Sequence, residues 1–161
     1  MTEKKDMRKY WEIIEIPVYV LAGWIMINFI IPLGTMLDNL IYFQIANWGI
    51  ILFAFGYIGK QIANKKETAK MAAKLGAIAG VITGFLSGLS SLISFKIYPE
   101  RMAYAIQQGV SQGVPEETMA SMMDIQLYVG LFTAPIVNAI IGAIIAAVAF
   151  LIFSNFISKK K

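Results

Sequence analysis

The chain has 161 residues, is 58% hydrophobic, carries 14 basic and 10 acidic side chains for a net charge of +4, and has a mean hydropathy of +0.65. Only 15% of its residues are charged, against about 25% in a soluble globular domain, so there is too little polar surface to cover a water-soluble particle and lipid must be the main solvent. With no Cys and no His, the composition excludes disulfides, thiol chemistry, sulfur-linked lipid anchors, the commonest zinc ligands and a Ser–His intramembrane protease.

A helix needs about 20 apolar residues to cross the hydrocarbon core, and the chain has four such runs. The first is Ile13 to Leu33, with Tyr10 and Trp11 at its start, where aromatic rings prefer the headgroup level. It is too long for a signal-peptide core and has no A-x-A-like cleavage site, so it reads as a retained span. Pro17 lies near its beginning, and Pro32 with Gly34 closes it. The short link from Gly34 to Asn39 permits only an antiparallel hairpin with the second run, Leu40 to Ile58. A basic segment follows, with Lys60, Lys65, Lys66, Lys70 and Lys74 against one acid, Glu67. The third run is Leu75 to Ile97.

Residues 99 to 124 form the only sizeable connection. Two short amphipathic helices are predicted there, lying on the membrane surface or capping the bundle. One starts at Pro99 and puts Met102, Ile106 and Val110 on one face. The other starts at Pro115, with Glu116 and Glu117 in a first turn where the helix dipole favours anions, and carries Met119, Met122 and Met123. The fourth run, Tyr128 to Phe156, exceeds one bilayer thickness and must tilt, kink at Pro135 or protrude. It ends in Lys159, Lys160 and Lys161.

Lys and Arg are distributed unevenly. Four precede the first span, five lie between the second and third, and three end the chain. The first link has none, and the third has Arg101, with Lys96 just before it, among Glu100, Glu116, Glu117 and Asp124. With four spans every basic flank falls on one side, which the positive-inside rule assigns to the cytoplasm.

The third span carries Gly76, Gly80, Gly84 and Gly88 at unbroken four-residue spacing. These positions drift through about 120° of the helix circumference, an arc that also holds Ser87, Ser91 and Ser94. A face almost without side chains allows close backbone approach in lipid. The fourth span has a matching small face of Ala134, Asn138, Gly142, Ala146 and Ala149, so the two faces are expected to meet. The glycine face reads either as packing within the bundle or as an interface with a second copy.

Polar residues gather in the outer half of the bundle: Asn28, Gln44, Asn47, Ser87, Ser90, Ser91, Ser94, Thr133 and Asn138. Gln44 and Asn47 are three apart and share a face. The cluster reads either as interhelical hydrogen bonds, each worth about 0.6 kcal/mol, or as a pocket open to the outer face. No acid accompanies it, which disfavours a metal site or an acid–base pair. Glu15 is the one ionisable residue inside an apolar run, the position at which membrane proteins couple ions. It lies about one turn from the inner edge, where it can also reach headgroups.

The segments ETAKMAAKLGAIAGVITGFLSGLSS through IYPE, VPEETMASMM, and TAPIVNAIIGAIIAAVAFLIFSNFISKKK together resemble an uncharacterised family of four-span prokaryotic membrane proteins, a domain of unknown function. The shared plan is two plain spans, a charged linker, a Gly-rich third span, an outer loop with an acidic helix start and a Lys-ended fourth span. The resemblance implies four spans and brings no functional residues.

The sequence thus predicts an all-α fold. It is a single membrane domain over 1–161, a four-transmembrane-helix bundle with spans at about 13–33, 40–58, 75–97 and 128–156 and an outer loop over 99–124. It belongs in the inner (plasma) membrane with both termini cytoplasmic. No catalytic, cofactor-binding or metal-ligating residue is expected; Asp38, Glu100 and Asp124 fall at the outer rim with nothing to pair them. The predicted function is that of a non-enzymatic accessory or scaffold component, held in the bilayer beside a second copy or another membrane protein, without nucleic acid. The alternative is a small oligomeric transporter or channel. In that case Asn28, Gln44, Asn47, Ser87, Ser91 and Asn138 would line an outward-facing pocket, with Glu15 as the coupling group.

Overall fold

The computed structural model describes residues 3–30 and 40–158, and the side chains of 10–30 and 42–158. These residues form five helices and no strand: α1 (Glu3–Ile30), α2 (Leu40–Asn64), α3 (Ala69–Ile97), α4 (Pro99–Ser111) and α5 (Glu116–Ser158). Four of them, all but α4, are long and apolar enough to cross a membrane. The Pro32–Gly34 stop, the link through Asp38 and the tail Lys159–Lys161 lie outside the described residues.

The helices overrun their apolar cores because hydropathy marks where lipid begins, whereas helical hydrogen bonding continues into polar residues that favour helix. Thus α1 begins within the charged N-terminal segment, and α2 runs on to Asn64. Pro17 is accommodated inside α1, where its ring is fully buried. The α2–α3 link turns at Lys66, whose φ is +55°. Thr68 then caps α3 by accepting a hydrogen bond from the Met71 amide at 3.2 Å.

The connection after α3 differs from the sequence expectation. Pro99 does open a 13-residue helix, but the segment from Glu116 is not a separate short helix. It is the first part of α5, a single helix of 43 residues, about 65 Å long at 1.5 Å per residue. No Pro or Gly stands between Glu116 and Leu127 to break it, and Pro135 is taken within it. The helix is longer than a ~30 Å hydrocarbon core, and its residues ahead of the apolar run, 116–127, lie at the end where α4 packs. There α4 turns back at Gly113 (φ +89°) and packs against the start of α5, with Gly109 against Met119.

α3 touches all the other helices, most extensively α5. Most side chains of the core belong to the half of the bundle that holds the α2–α3 link, among them Ile13, Ile14, Phe55, Ile58, Ile62, Ala72, Leu75 and Ala146, and Leu21 extends it toward mid-bundle. Tyr10 donates to the Glu67 carboxylate at 3.1 Å, tying α1 to that link. Along α5, Phe132, Ile136, Ile140, Ile144 and Val148 form an exposed apolar stripe. They lie two residues, about 200°, from the small face at Ala134, Asn138, Gly142 and Ala146, so one side of the helix is an exposed apolar surface suited to lipid and the other meets α3.

Candidate functional site: a polar cleft and a close helix seam

The seam between α3 and α5 is made of backbone. A Cβ added to Gly84 would stand 2.5 Å from the Ala134 carbonyl oxygen and 2.6 Å from the Pro135 Cα. One added to Gly80 would fall on the Asn138 carbonyl group, 2.7 Å from the Ala139 nitrogen, and one on Gly76 would fall on the Gly142 carbonyl group. At Gly88 the approach is looser, with the Leu131 Cα 3.0 Å from the added atom. Gly142 faces both Gly76 and the ring of Phe55, and a Cβ added to it would stand 2.7 Å from the Phe55 Cε1. Gly59 on α2 makes a similar contact with Ala149 and Phe150 of α5, which sequence spacing missed because Gly59 belongs to no periodic run.

Toward the α4 end the helices part and leave a cleft of about 340 Å³. It is lined from α1 by Trp24, Asn28 and Phe29, from α2 by Phe43 and Asn47, from α3 by Ser87, Ser90, Ser91, Ser94 and Phe95, and from α4 by Arg101. A second cleft, between α3 and α5, shares Ser87, Ser91 and Phe95 with it and continues past Gln126 and Gly130. The serines therefore form a polar strip along α3 between two openings. The next turn below is closed: Leu21, Thr83 and Gly84 are buried, and the Thr83 hydroxyl is taken up by its own helix, donating to the Ala79 carbonyl at 2.9 Å.

Two local networks shape the cleft wall. The Trp24 indole Nε1 donates to the Asn47 side-chain oxygen at 2.9 Å, and the Trp24 ring stacks on Phe43 with centroids 5.9 Å apart. Asn28 donates to the Trp24 carbonyl at 2.8 Å. Arg101 forms the second. Its guanidinium donates to the Ser94 hydroxyl and, at 3.0 Å, to the Phe29 carbonyl near the end of α1, and lies 4.3 Å from the Tyr98 ring centroid. Its Nε is buried and has no hydrogen-bond partner.

Of the sequence candidates, Asn28, Asn47, Ser87 and Ser91 share the cleft. Gln44 does not: its side chain is exposed, although it lies three residues from Asn47. Three residues turn the helix by about 300°, enough to carry Gln44 off the wall that Asn47 occupies. Asn138 lies deeper, where α5 crosses Gly80, and lines neither cleft. Glu15 is half-buried on α1, nine residues before Trp24, about 14 Å along the helix. The structure thus does not join it to the cleft. Among the described residues no group of three or more acidic side chains could hold a metal ion.

Two functional-looking residues escaped sequence reading. Trp24 sits in mid-span, away from the interfacial belts where Trp is usual, and four residues before Asn28. Arg101 stands in the first turn of α4, where the helix dipole disfavours a cation. That misplacement was the available signal: a cation there needs compensation from elsewhere, and the Phe29 carbonyl near the C-terminal end of α1 supplies it.

Comparison with protein-family models, with curated proteins and with solved structures finds no match.

Proposed function

We propose that this chain is a multi-pass protein of the inner (plasma) membrane, with both termini cytoplasmic and the α4 end on the outer side, acting as a non-enzymatic accessory or scaffold component. The observation that carries this reading is the α3–α5 seam, where glycines meet carbonyl groups with no room for a methyl. A contact of that kind cannot slide without backbone collision, which favours a fixed bundle over one whose halves rock around a substrate. The closed layer at Leu21, Thr83 and Gly84 favours a binding recess over a conduit. Orientation is supported by the count of Lys and Arg along the sequence and by the basic α2–α3 link, which lies at the end opposite α4, under the positive-inside rule.

The expected partner is another membrane protein, met through the apolar stripe of α5, the exposed Ile45, Trp48 and Leu52 of α2, or the α4–α5 hairpin. The test is blue-native electrophoresis and native mass spectrometry of the chain taken from its own membrane in mild detergent, with flux assays in proteoliposomes alongside. A hetero-assembly without flux is the expected result. A homo-oligomer that carries proton-linked flux, lost in Glu15→Gln, would overturn it.

That second outcome is the small-transporter reading, and the polar cleft favours it: about 340 Å³ lined by Asn47, Ser87 and Ser91 is ample for a small solute.

A further inference from the structure

We propose that the seam between α1 and α3 at the α4 end binds a membrane lipid with an anionic phosphodiester headgroup. Arg101 and Ser94 hold the headgroup, and an acyl chain lies in the neighbouring apolar groove. The site rests on the membrane reading above but not on the scaffold role.

Three observations converge here. The first is the groove. On the side of the α1–α3 contact away from α2, Ala22, Ile25, Met26, Leu86, Leu89 and Ile93 line a recess of about 400 Å³ that is almost wholly apolar. It runs alongside the helices for about seven residues, roughly 10 Å, the orientation of an acyl chain in a bilayer. The second is continuity. Ile25, Phe29 and Ser90 line both this groove and the polar cleft, so a ligand in one borders the other. The third is charge. Arg101 stands at the α4 end of the seam, four residues beyond the end of α3.

Arg101 is held for a ligand rather than released to water. An arginine near a membrane surface ordinarily extends its head outward while its stem covers apolar surface. Here the guanidinium is drawn inward by Ser94 and the Phe29 carbonyl and covered by Tyr98. Both protein acceptors are neutral, and among the described residues no carboxylate pairs with it. A guanidinium has five N–H donors in a planar fork. Ser94 takes one N–H from Nη1 and the Phe29 carbonyl takes one from Nη2, so each Nη keeps a second N–H for a ligand entering from the cleft that Arg101 lines. A phosphodiester supplies two unesterified oxygens to that fork and brings the missing charge. A zwitterionic lipid offers the same oxygens but leaves net charge uncompensated. Capping α1 explains the bond to Phe29 but uses one donor and does not explain the groove.

The test places the purified protein in nanodiscs of equimolar phosphatidylglycerol and phosphatidylcholine and reads the lipids that remain bound on release, by native mass spectrometry. The expected result is one retained phosphatidylglycerol, in excess over phosphatidylcholine by roughly fivefold to tenfold, the size of effect one Arg produces beside an anionic surface. Arg101→Gln should abolish the preference and Arg101→Lys should keep part of it. Leu89→Trp, which fills the groove, should lower retention of both lipids.

Equal retention of the two lipids by the wild type would overturn the proposal, as would an Arg101→Gln variant with the wild-type preference. Displacement of the lipid by millimolar inorganic phosphate would assign the site to a free anion instead and overturn the lipid. If Arg101→Gln does not fold by circular dichroism, Trp24 reports in its place. In a Trp11→Phe, Trp48→Phe background, brominated phosphatidylglycerol should quench Trp24 at lower mole fraction than brominated phosphatidylcholine, and equal quenching would overturn the site. Failure to insert into nanodiscs at all would count against the membrane reading, whereas equal lipid retention would count only against this site.

Discussion

The carbonyl of Gly76 stands where a side chain on Gly142 would begin, and the carbonyl of Gly142 stands where one on Gly76 would begin. This reciprocal contact fixes the separation of α3 and α5 at the basic end, and it repeats one turn on at Gly80 with Asn138 and again at Gly84 with Ala134. The opposing atoms are backbone, so neither helix can yield by changing a rotamer.

Gly76→Ala and Gly80→Ala should therefore each destabilise the bundle by about 1–3 kcal/mol, the cost of overpacking a close contact, with Gly84→Leu failing to fold. Gly23 and Gly49 are the controls, since a Cβ at either meets nothing within 4 Å. Gly23→Ala and Gly49→Ala should be neutral or stabilising by up to ~1 kcal/mol, because Ala is the better helix former. Unfolding in mixed detergent with SDS reads the difference. Equal effects at Gly76 and Gly23 would remove the seam as the basis of packing.

Much of this was legible in the sequence, and the limits have physical causes. Four apolar runs marked four long helices because lipid demands continuous apolar surface, and the four-residue glycine period marked a face open to close approach without saying whether α5 or a second copy would meet it. Helix ends were not legible: the run from Tyr128 says where lipid starts, while α5 begins at Glu116 because nothing in between stops it. Partners across space were not legible either. Asn47 could be placed at a depth, but its pairing with Trp24 depends on the rotation of α1 against α2. Gln44 shows the converse error, since three-residue spacing does not guarantee the same wall when the wall is narrow.

Phe55 is only 2% exposed, and its ring closes over Gly142. It is the largest fully buried side chain in the core. Phe55→Ala should cost about 3–5 kcal/mol, and Phe55→Leu distinctly less, because Leu refills part of the volume. Gly142→Ala should be destabilising in wild type and milder in the Phe55→Leu background if the ring is one of the clashing groups. A double-mutant cycle with no coupling would show that the Gly76 carbonyl alone sets the limit.

The Trp24–Asn47 hydrogen bond crosses from α1 to α2 at the cleft wall. Asn47→Ala should cost about 0.6 kcal/mol, the average for such bonds in membranes. It should also shift the emission of Trp24, read in a Trp11→Phe, Trp48→Phe background, because the indole loses its acceptor beside the polar cleft. An unchanged spectrum would mean that the indole does not rely on Asn47. Gln44→Ala, by contrast, should leave both stability and emission as in wild type, since Gln44 lies on the exposed side of α2.

Orientation can be tested without background because the chain has no Cys, so each introduced thiol is the only one. Gln107 is exposed on α4 and Lys65 is exposed in the α2–α3 link, at opposite ends of the bundle. Gln107→Cys should react with a membrane-impermeant maleimide on intact cells. Lys65→Cys should react only after the membrane is permeabilised. The argument behind this expectation is the asymmetry of Lys and Arg, for which each cation kept on the cytoplasmic side avoids transfer across the bilayer during insertion. Both substitutions alter exposed polar positions, so neither should disturb packing. The opposite labelling pattern would place the basic link outside. It would also turn the polar cleft and Arg101 toward the cytoplasm, where the anionic leaflet would make lipid recognition at that end stronger.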